Sequence, residues 1–188
     1  IDCGRSRVYV HVGKSGLGHE HAVVGLLKSG QVHLGMTRDA GKITFDTTSF
    51  AADTPEARRY IGLSGETART THQKVTANMC GVDVLNTAKY PTATFNITSA
   101  RLLDRKQGDK TARYEFDGEF TLHGVTNPMR LVAQAESQNG LIHLTAQFVI
   151  RQTDYGIEPY STAMGAIGVA NELVIWGSVW VAQESVRK

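Results

Sequence analysis

The sequence predicts an all-β chain: an antiparallel sheet of about eight strands closed into a barrel, with one short helical insertion. Three observations carry that prediction. Residues 113–122 alternate strictly, with Tyr114, Phe116, Phe120 and Leu122 on one face and Arg113, Glu115, Asp117 and Glu119 on the other, as a sheet with one wet side requires. Alternating segments of the same kind recur along the chain, separated by short turns rich in Gly, Asn and Asp. So many antiparallel strands leave open edges unless the sheet closes on itself.

The elements follow in order. Val8, Val10 and Val12 alternate with Arg7, Tyr9 and His11 in a first strand that ends at the glycine-rich bend Gly13 to Gly18. A second strand covers about His21 to Lys28 and turns at Ser29-Gly30. Val32, Leu34 and Met36 continue the sheet to Asp39-Ala40-Gly41, and Ile43 and Phe45 mark the return, so that four short strands precede residue 50. The period then changes. Thr54-Pro55 is a helix cap and first turn, with a helix to about Ile61; a second helix begins near Ser64, carries Val75, Met79 and Val82, and ends about Gly81. The insertion therefore spans residues 54–81.

Tyr90-Pro91 restarts the sheet, with Ala93, Phe95 and Ile97 alternating against Thr94, Asn96 and Thr98. Arg105 to Lys110 reads as a polar hairpin tip. After the strand at 113–122, residues 123–128 (His-Gly-Val-Thr-Asn-Pro) form a turn, because glycine and proline fit poorly inside a ladder. Met129 to Glu136 runs back, Asn139-Gly140 makes a tight hairpin, and Leu141 to Arg151 follows. Residues 155–168 read as a long loop before a final strand, Glu172 to Val181. No linker or internal repeat divides the sequence, so one domain over residues 1–188 is expected.

Composition narrows the functions. The 188 residues include 20 basic and 18 acidic ones without long blocks of like charge, so no phosphate-tracking surface and no nucleic-acid partner is expected. No run approaches the roughly 18 apolar residues that cross a bilayer as a helix, and no charged-then-apolar leader is expected in the sequence as it starts at Ile1. Cys3 and Cys80 are either two free thiols or one disulfide.

An eight-stranded barrel is wide enough for packed side chains or for one small ligand. Val10, Phe45, Phe95, Ile97, Tyr114, Phe116, Phe120, Leu122, Phe148 and Ile150, with Ile157 just beyond the strands, are the candidates to line such a lumen. The same residues could equally pack on one another. Gly118, between two aromatics, leaves room or lets the sheet bend. Arg151 or Lys14 would meet a polar head at the open end, although Arg151 beside Asp154 equally suits a structural ion pair.

His19 and His21, two apart, point the same way on an extended chain and could begin a metal site if His11, His33, His72 or His123 supplied a third ligand. Ordinary hydrogen bonding at a barrel mouth is the plainer reading. No nucleophile elbow, phosphate loop or dinucleotide fingerprint is present. Gly13-Lys14-Ser15-Gly16 lacks the spacing and the helix of a phosphate loop and reads as a bend, and Glu115 and Asp117 lie on the wet face. No cofactor is expected, and the chain reads as a non-enzyme.

Several segments resemble the YceI-like family of lipocalin-like barrels: Ile1-Asp2 with Ser6-Arg7-Val8, Tyr90-Pro91 with Phe95, Phe120-Thr121-Leu122-His123-Gly124-Val125-Thr126 with Pro128, and Arg151 with Asp154-Tyr155-Gly156-Ile157. They run in the family's order along nearly the whole chain. The resemblance implies binding of polyisoprenoids or related amphipathic lipids in a periplasmic or secreted protein. Gly18-His19-Glu20-His21 departs from the family's single histidine followed by glycine. The leading expectation is thus a lumen holding an isoprenoid or fatty-acid-like lipid for transport or sequestration, with a homodimer left open. The rivals are a metal-binding protein or metal-dependent enzyme using His19 and His21, and a stress-response interaction module with a solid barrel whose loop at 155–168 meets a partner.

Overall fold

The computed structural model describes residues 1–65, 68–105, 111–162, 164 and 166–182. The strands are β1 (Arg7–Gly16), β2 (His21–Val32), β3 (Gly41–Ala52), β4 (Thr92–Arg105), β5 (Thr111–Leu122), β6 (Val125–Gln138), β7 (Leu141–Arg151), β8 (Ser161–Thr162) and β9 (Ile167–Ala182). The helices α1 (Pro55–Ile61) and α2 (Arg69–Cys80) follow β3. Each strand from β1 to β7 pairs antiparallel with the next, β9 pairs with β7, and β1 pairs with β9 to close the barrel. Eight strands make the wall, and β8 is a two-residue addition to the start of β9. The result is an all-β, lipocalin-like barrel.

Three strands, not four, make up the sheet through residue 52. Ser29-Gly30 is not a turn: β2 passes through it, with Ser29 opposite Thr44 and Gly30 opposite Ile43, after a bulge between Leu27 and Ser29 absorbs an extra residue. Glycine is needed at position 30 because a Cβ there would lie 2.6 Å from Ile1 Cδ1 and 2.8 Å from Lys42 O. The reversal falls instead at residues 33–40, where His33 N donates to Ala40 O. In the same way β1 runs straight through the expected bend to Gly16, which faces Ile167, and a bulge lies between Val12 and Lys14.

Elsewhere the turn expected over residues 123–128 is shorter, while the tight hairpin expected at Asn139-Gly140 is present. Only His123-Gly124 turns between β5 and β6, with φ of 52° and 78°, and Asn139-Gly140 does the same between β6 and β7 with φ of 51° and 77°. Pro128 lies inside β6, opposite Glu119. It is tolerated because the β6–β7 ladder begins only at Ala133, opposite Ala146, which leaves the first half of β6 an edge on that side. The stretch after β7 is not one long loop: a 3-10 turn (Gln152–Tyr155) and β8 occupy part of it, and β9 starts at Ile167. In that loop Ala163 and Gly165 lie outside the described residues, as do residues 106–110 of the expected hairpin tip and residues 66–67 before α2.

Thr54 caps α1 by accepting from Ala57 N, with Pro55 in the first turn, as its sequence signals. The helix packs outside β1 and β2 on a small cluster of Tyr9, Ala22, Val24 and Ala57, and Tyr9 stacks on Tyr60 at 3.6 Å. Burial, together with a hydrogen bond to Glu56, pushes the Tyr9 hydroxyl up to about 12. Helix α2 holds to the end of β3 through Ala52 N donating to Thr76 Oγ1 at 2.9 Å. Val82, expected on its apolar stripe, lies past the helix and is exposed. Cys3 and Cys80 are both free thiols.

On the outer wall Arg101 bridges Glu115 and Asp117, and Arg130 also pairs with Asp117. The alternating charges of β5 are thereby joined across three strands as surface ion pairs. Inside, one large core cluster runs the length of the barrel and includes Val8, Phe95, Phe116, Phe120, Leu144 and Ile175.

Candidate functional site

The inward faces of the strands do not fill the barrel. A chamber of about 190 Å³ occupies one end and a smaller one of about 70 Å³ lies deeper; Val8, Phe45, Phe120 and Phe148 line both and form the waist between them. Phe45 and Phe120 meet edge to face there at 6.2 Å. The small chamber is lined by apolar side chains and Gly177. Among the described residues, the large one has polar side chains only at His21, Asn78, Gln152 and Tyr160. Neither chamber is lined by Lys, Arg, Asp or Glu among the described residues.

The residues expected to line a lumen divide three ways. Val10, Phe45, Phe120, Leu122, Phe148 and Ile150 line the large chamber, and Phe95 and Phe116 line the small one. Ile97 and Ile157 are buried in the core but line neither chamber, and Tyr114 packs partly buried against that core. Gly118 contributes no space to the lumen, since a Cβ there would lie 2.1 Å from Asn96 O and 3.0 Å from the Phe95 ring; its role is close approach of β5 to β4 beside a bulge. Arg151 is outside altogether, exposed on the wall and paired with Glu172 at 3.4 Å rather than with Asp154. Its place on β7 follows from strand parity: Phe148 and Ile150 point in, so Arg151 points out. Lys14 is exposed and lines neither chamber.

Sequence reasoning missed the contribution of α2 and of the last strand. Val75, Asn78 and Met79 of α2, with Val84 and Leu85 after it, close part of the chamber, and Val169, Leu173 and Ile175 of β9 face it from the wall. The spacing of Val75 and Met79 was the available signal for the helix. Alternation from Val169 to Ile175 is the signal for the strand; Leu173 and Ile175 fall in the expected strand Glu172 to Val181, whereas Val169 lies ahead of its expected start.

His19 and His21 do not act together. His19 is exposed in the connection before β2, while His21 opens β2 and lines the large chamber. Glu20, between them, lies 3.3 Å from His11 Nε2 on the other face. Among the described residues no group of three or more His, Cys, Asp or Glu could hold a metal ion. His21 Nδ1 instead lies 2.7 Å from Asp53 Oδ2.

Asp53 is 3% exposed and accepts from two further donors, Ala22 N at 3.1 Å and Arg58 Nη1 at 3.2 Å. Burial by itself would raise this carboxyl, but the hydrogen bonds from His21, Ala22 and Arg58 outweigh it and hold Asp53 below the usual carboxylate range. A carboxylate in that state only accepts, so the His21 Nδ1 is the protonated, donating nitrogen. Gln152, buried at the same end, donates through Nε2 to Ala170 O at 2.8 Å and fixes the 3-10 turn to β9.

A closed antiparallel barrel around an apolar chamber, with its few polar side chains gathered at one end, is a lipocalin-like cavity protein by architecture. The chain belongs to the YceI-like family, whose domain model matches residues 1–178. Protein YceI of Escherichia coli O157:H7 is 36% identical over 98 residues, covering 52% of this chain and 46% of that protein. The same protein of Salmonella arizonae is 32% identical over 98 residues. The matched stretch thus spans about half the length of these curated relatives. Among solved structures, Burkholderia cenocepacia BcnA superposes with a TM-score of 0.63 at 17% identity, over 97% of this chain and 99% of that one. A polyisoprenoid binding domain from Saccharophagus degradans, implicated in plant cell wall breakdown, superposes with a TM-score of 0.61 at 13% identity, over 97% of both chains. Those identities make the likeness one of fold.

Proposed function

We propose that this protein binds a long-chain amphipathic lipid, of isoprenoid or fatty-acyl type, in the barrel interior, and carries or sequesters it without transforming it. The observation that carries the reading is the distribution of polarity in the cavity: apolar throughout its depth, polar only at one end. A flexible hydrocarbon tail forms no hydrogen bonds and is held by burial alone, while its head needs polar partners only where it leaves the lumen. The fold shared with a polyisoprenoid binding domain supports the same class of ligand. A periplasmic or secreted setting, which family membership supports, would give such a carrier work between membranes.

The test is native mass spectrometry and solvent extraction of tag-free protein purified from cells, beside an Ala93→Phe variant. Ala93 is buried and lines the large chamber, so a phenyl ring at that position fills it. A co-purifying lipid in the parent protein, lost from a variant that melts within a few degrees of it, is the expected result. Protein that emerges free of lipid and binds none when long-chain compounds are added would overturn the reading.

A further inference from the structure

We propose that His21, held by Asp53, is the seat for the ligand's polar head, and that the head it takes is a carboxylic acid. The inference rests on the lipid-binding reading and adds the head group to it. Four facts converge. His21 is one of the polar side chains that line the large chamber. Its Nδ1–H is committed to Asp53 Oδ2 at 2.7 Å, which leaves Nε2 as the ring's remaining polar atom. Asp53 needs nothing more from a ligand, since Ala22 N and Arg58 Nη1 complete its coordination. And no lysine or arginine lines either chamber among the described residues, so a phosphorylated head bearing two charges would meet no guanidinium or ammonium inside.

An imidazole with one nitrogen donating to a buried carboxylate is a strong hydrogen-bond partner through the other. A carboxylic acid matches it best: its proton is shared with Nε2, and the resulting bond is charge-assisted, about twice as strong as the neutral bond that an alcohol of the same chain would make. Asn78 of α2 and Tyr160 before β8 lie at the same end of the chamber and offer amide and hydroxyl groups to the second carboxyl oxygen. The tail would then run past Val23 and the Phe45–Phe120 waist.

The experiment is isothermal titration calorimetry with decanoic acid and decan-1-ol on the parent protein, on His21→Asn and on His21→Gln. An asparagine amide places its nitrogen where the imidazole Nδ1 was and so keeps a donor for Asp53 while deleting Nε2; glutamine reaches toward the Nε2 position. The parent is expected to bind the acid about tenfold more tightly than the alcohol. His21→Asn should bind the two about equally, losing far more affinity for the acid than for the alcohol, and His21→Gln should retain a preference for the acid. If neither compound binds the parent, the lipid-binding reading falls and this inference with it. If both bind the parent equally, or His21→Asn keeps the full preference, the lipid-binding reading stands and the assignment of His21 is overturned. Imidazole ¹⁵N NMR of the unmodified protein reads the same point without a variant: the His21 Nε2 resonance should move much further on adding decanoic acid than on adding decan-1-ol, and a resonance that decanoic acid leaves unmoved overturns the assignment.

Discussion

Asp53 shows what single residues contribute here and how little of that the sequence displays. It stands before Thr54-Pro55, which announce a helix start plainly, but its partners His21 and Ala22 are more than 30 positions away and no local pattern links them. Its backbone adopts φ of 55°, and its side chain ties the start of β2, the end of β3 and α1 together. Because the folded carboxyl is held below its ordinary value, its charge stabilises the native state above the unfolded value of about 3.9, and that contribution disappears as pH falls through the folded value. Asp53→Asn should therefore cost about 2–3 kcal/mol near neutral pH, since the buried anion is lost and an amide NH2 replaces one of the two oxygens that accept from His21, Ala22 and Arg58. The gap to the parent should close below about pH 4. Thermal melts of both proteins between pH 3 and pH 7 check this; a gap that is constant with pH would mean that the charge of Asp53 does not stabilise the fold.

At the scale of elements, what was legible is what repeats. The strict alternation of 113–122 located β5 and its two faces, Thr54-Pro55 located α1, and Asn139-Gly140 located a hairpin. Bulges defeated the rest, since a bulge lets a strand pass through Gly or Ser without turning, and β2 does this at Gly30. Pro128 carried a signal that pointed two ways: it argued for a turn, whereas it marks the half of β6 that has no ladder to β7. That half and the facing end of β7 leave a seam in the wall, flanked by the 3-10 turn, where Asn127 Nδ2 donates to Asp154 O at 2.8 Å. Backbone N–H groups directed into the seam have no strand partner. Hydrogen exchange should show alternate amides at 125–132 and 147–151 exchanging at least tenfold faster than those at 133–138 and 141–146, where the β6–β7 ladder is continuous. Uniform protection along β6 would show that the seam closes in solution.

For the molecule as a whole, closure was inferable because the number of strands demanded it, but the depth of the cavity was not. Alternation says which side chains point inward; it does not say whether they meet, and here some do while others leave room. The aromatic rings of Phe95, Phe116, Phe120 and Phe148 narrow the inner part to about 70 Å³, and the outer chamber holds about 190 Å³. A cavity of roughly 150 Å³ accepts benzene, so the outer chamber by itself suits a segment of about eight carbons. A longer tail must pass the waist, which requires the Phe45, Phe120 and Phe148 rings to turn aside, or must project from the mouth. Each carbon buried contributes at most about 0.8 kcal/mol, close to fourfold in affinity. In a series of straight-chain acids, affinity should therefore climb steeply up to about eight carbons and then flatten, because further carbons gain burial only by displacing packed rings at a cost of about 1–3 kcal/mol. Phe148→Ala removes one ring of the waist and should move the break in the series to longer chains while lowering stability by about 3 kcal/mol. Calorimetric affinities for C6 to C16 acids on the parent and on Phe148→Ala decide it: a series without a break, or a break that the variant leaves in place, would mean that the waist does not set the length of tail the barrel accepts.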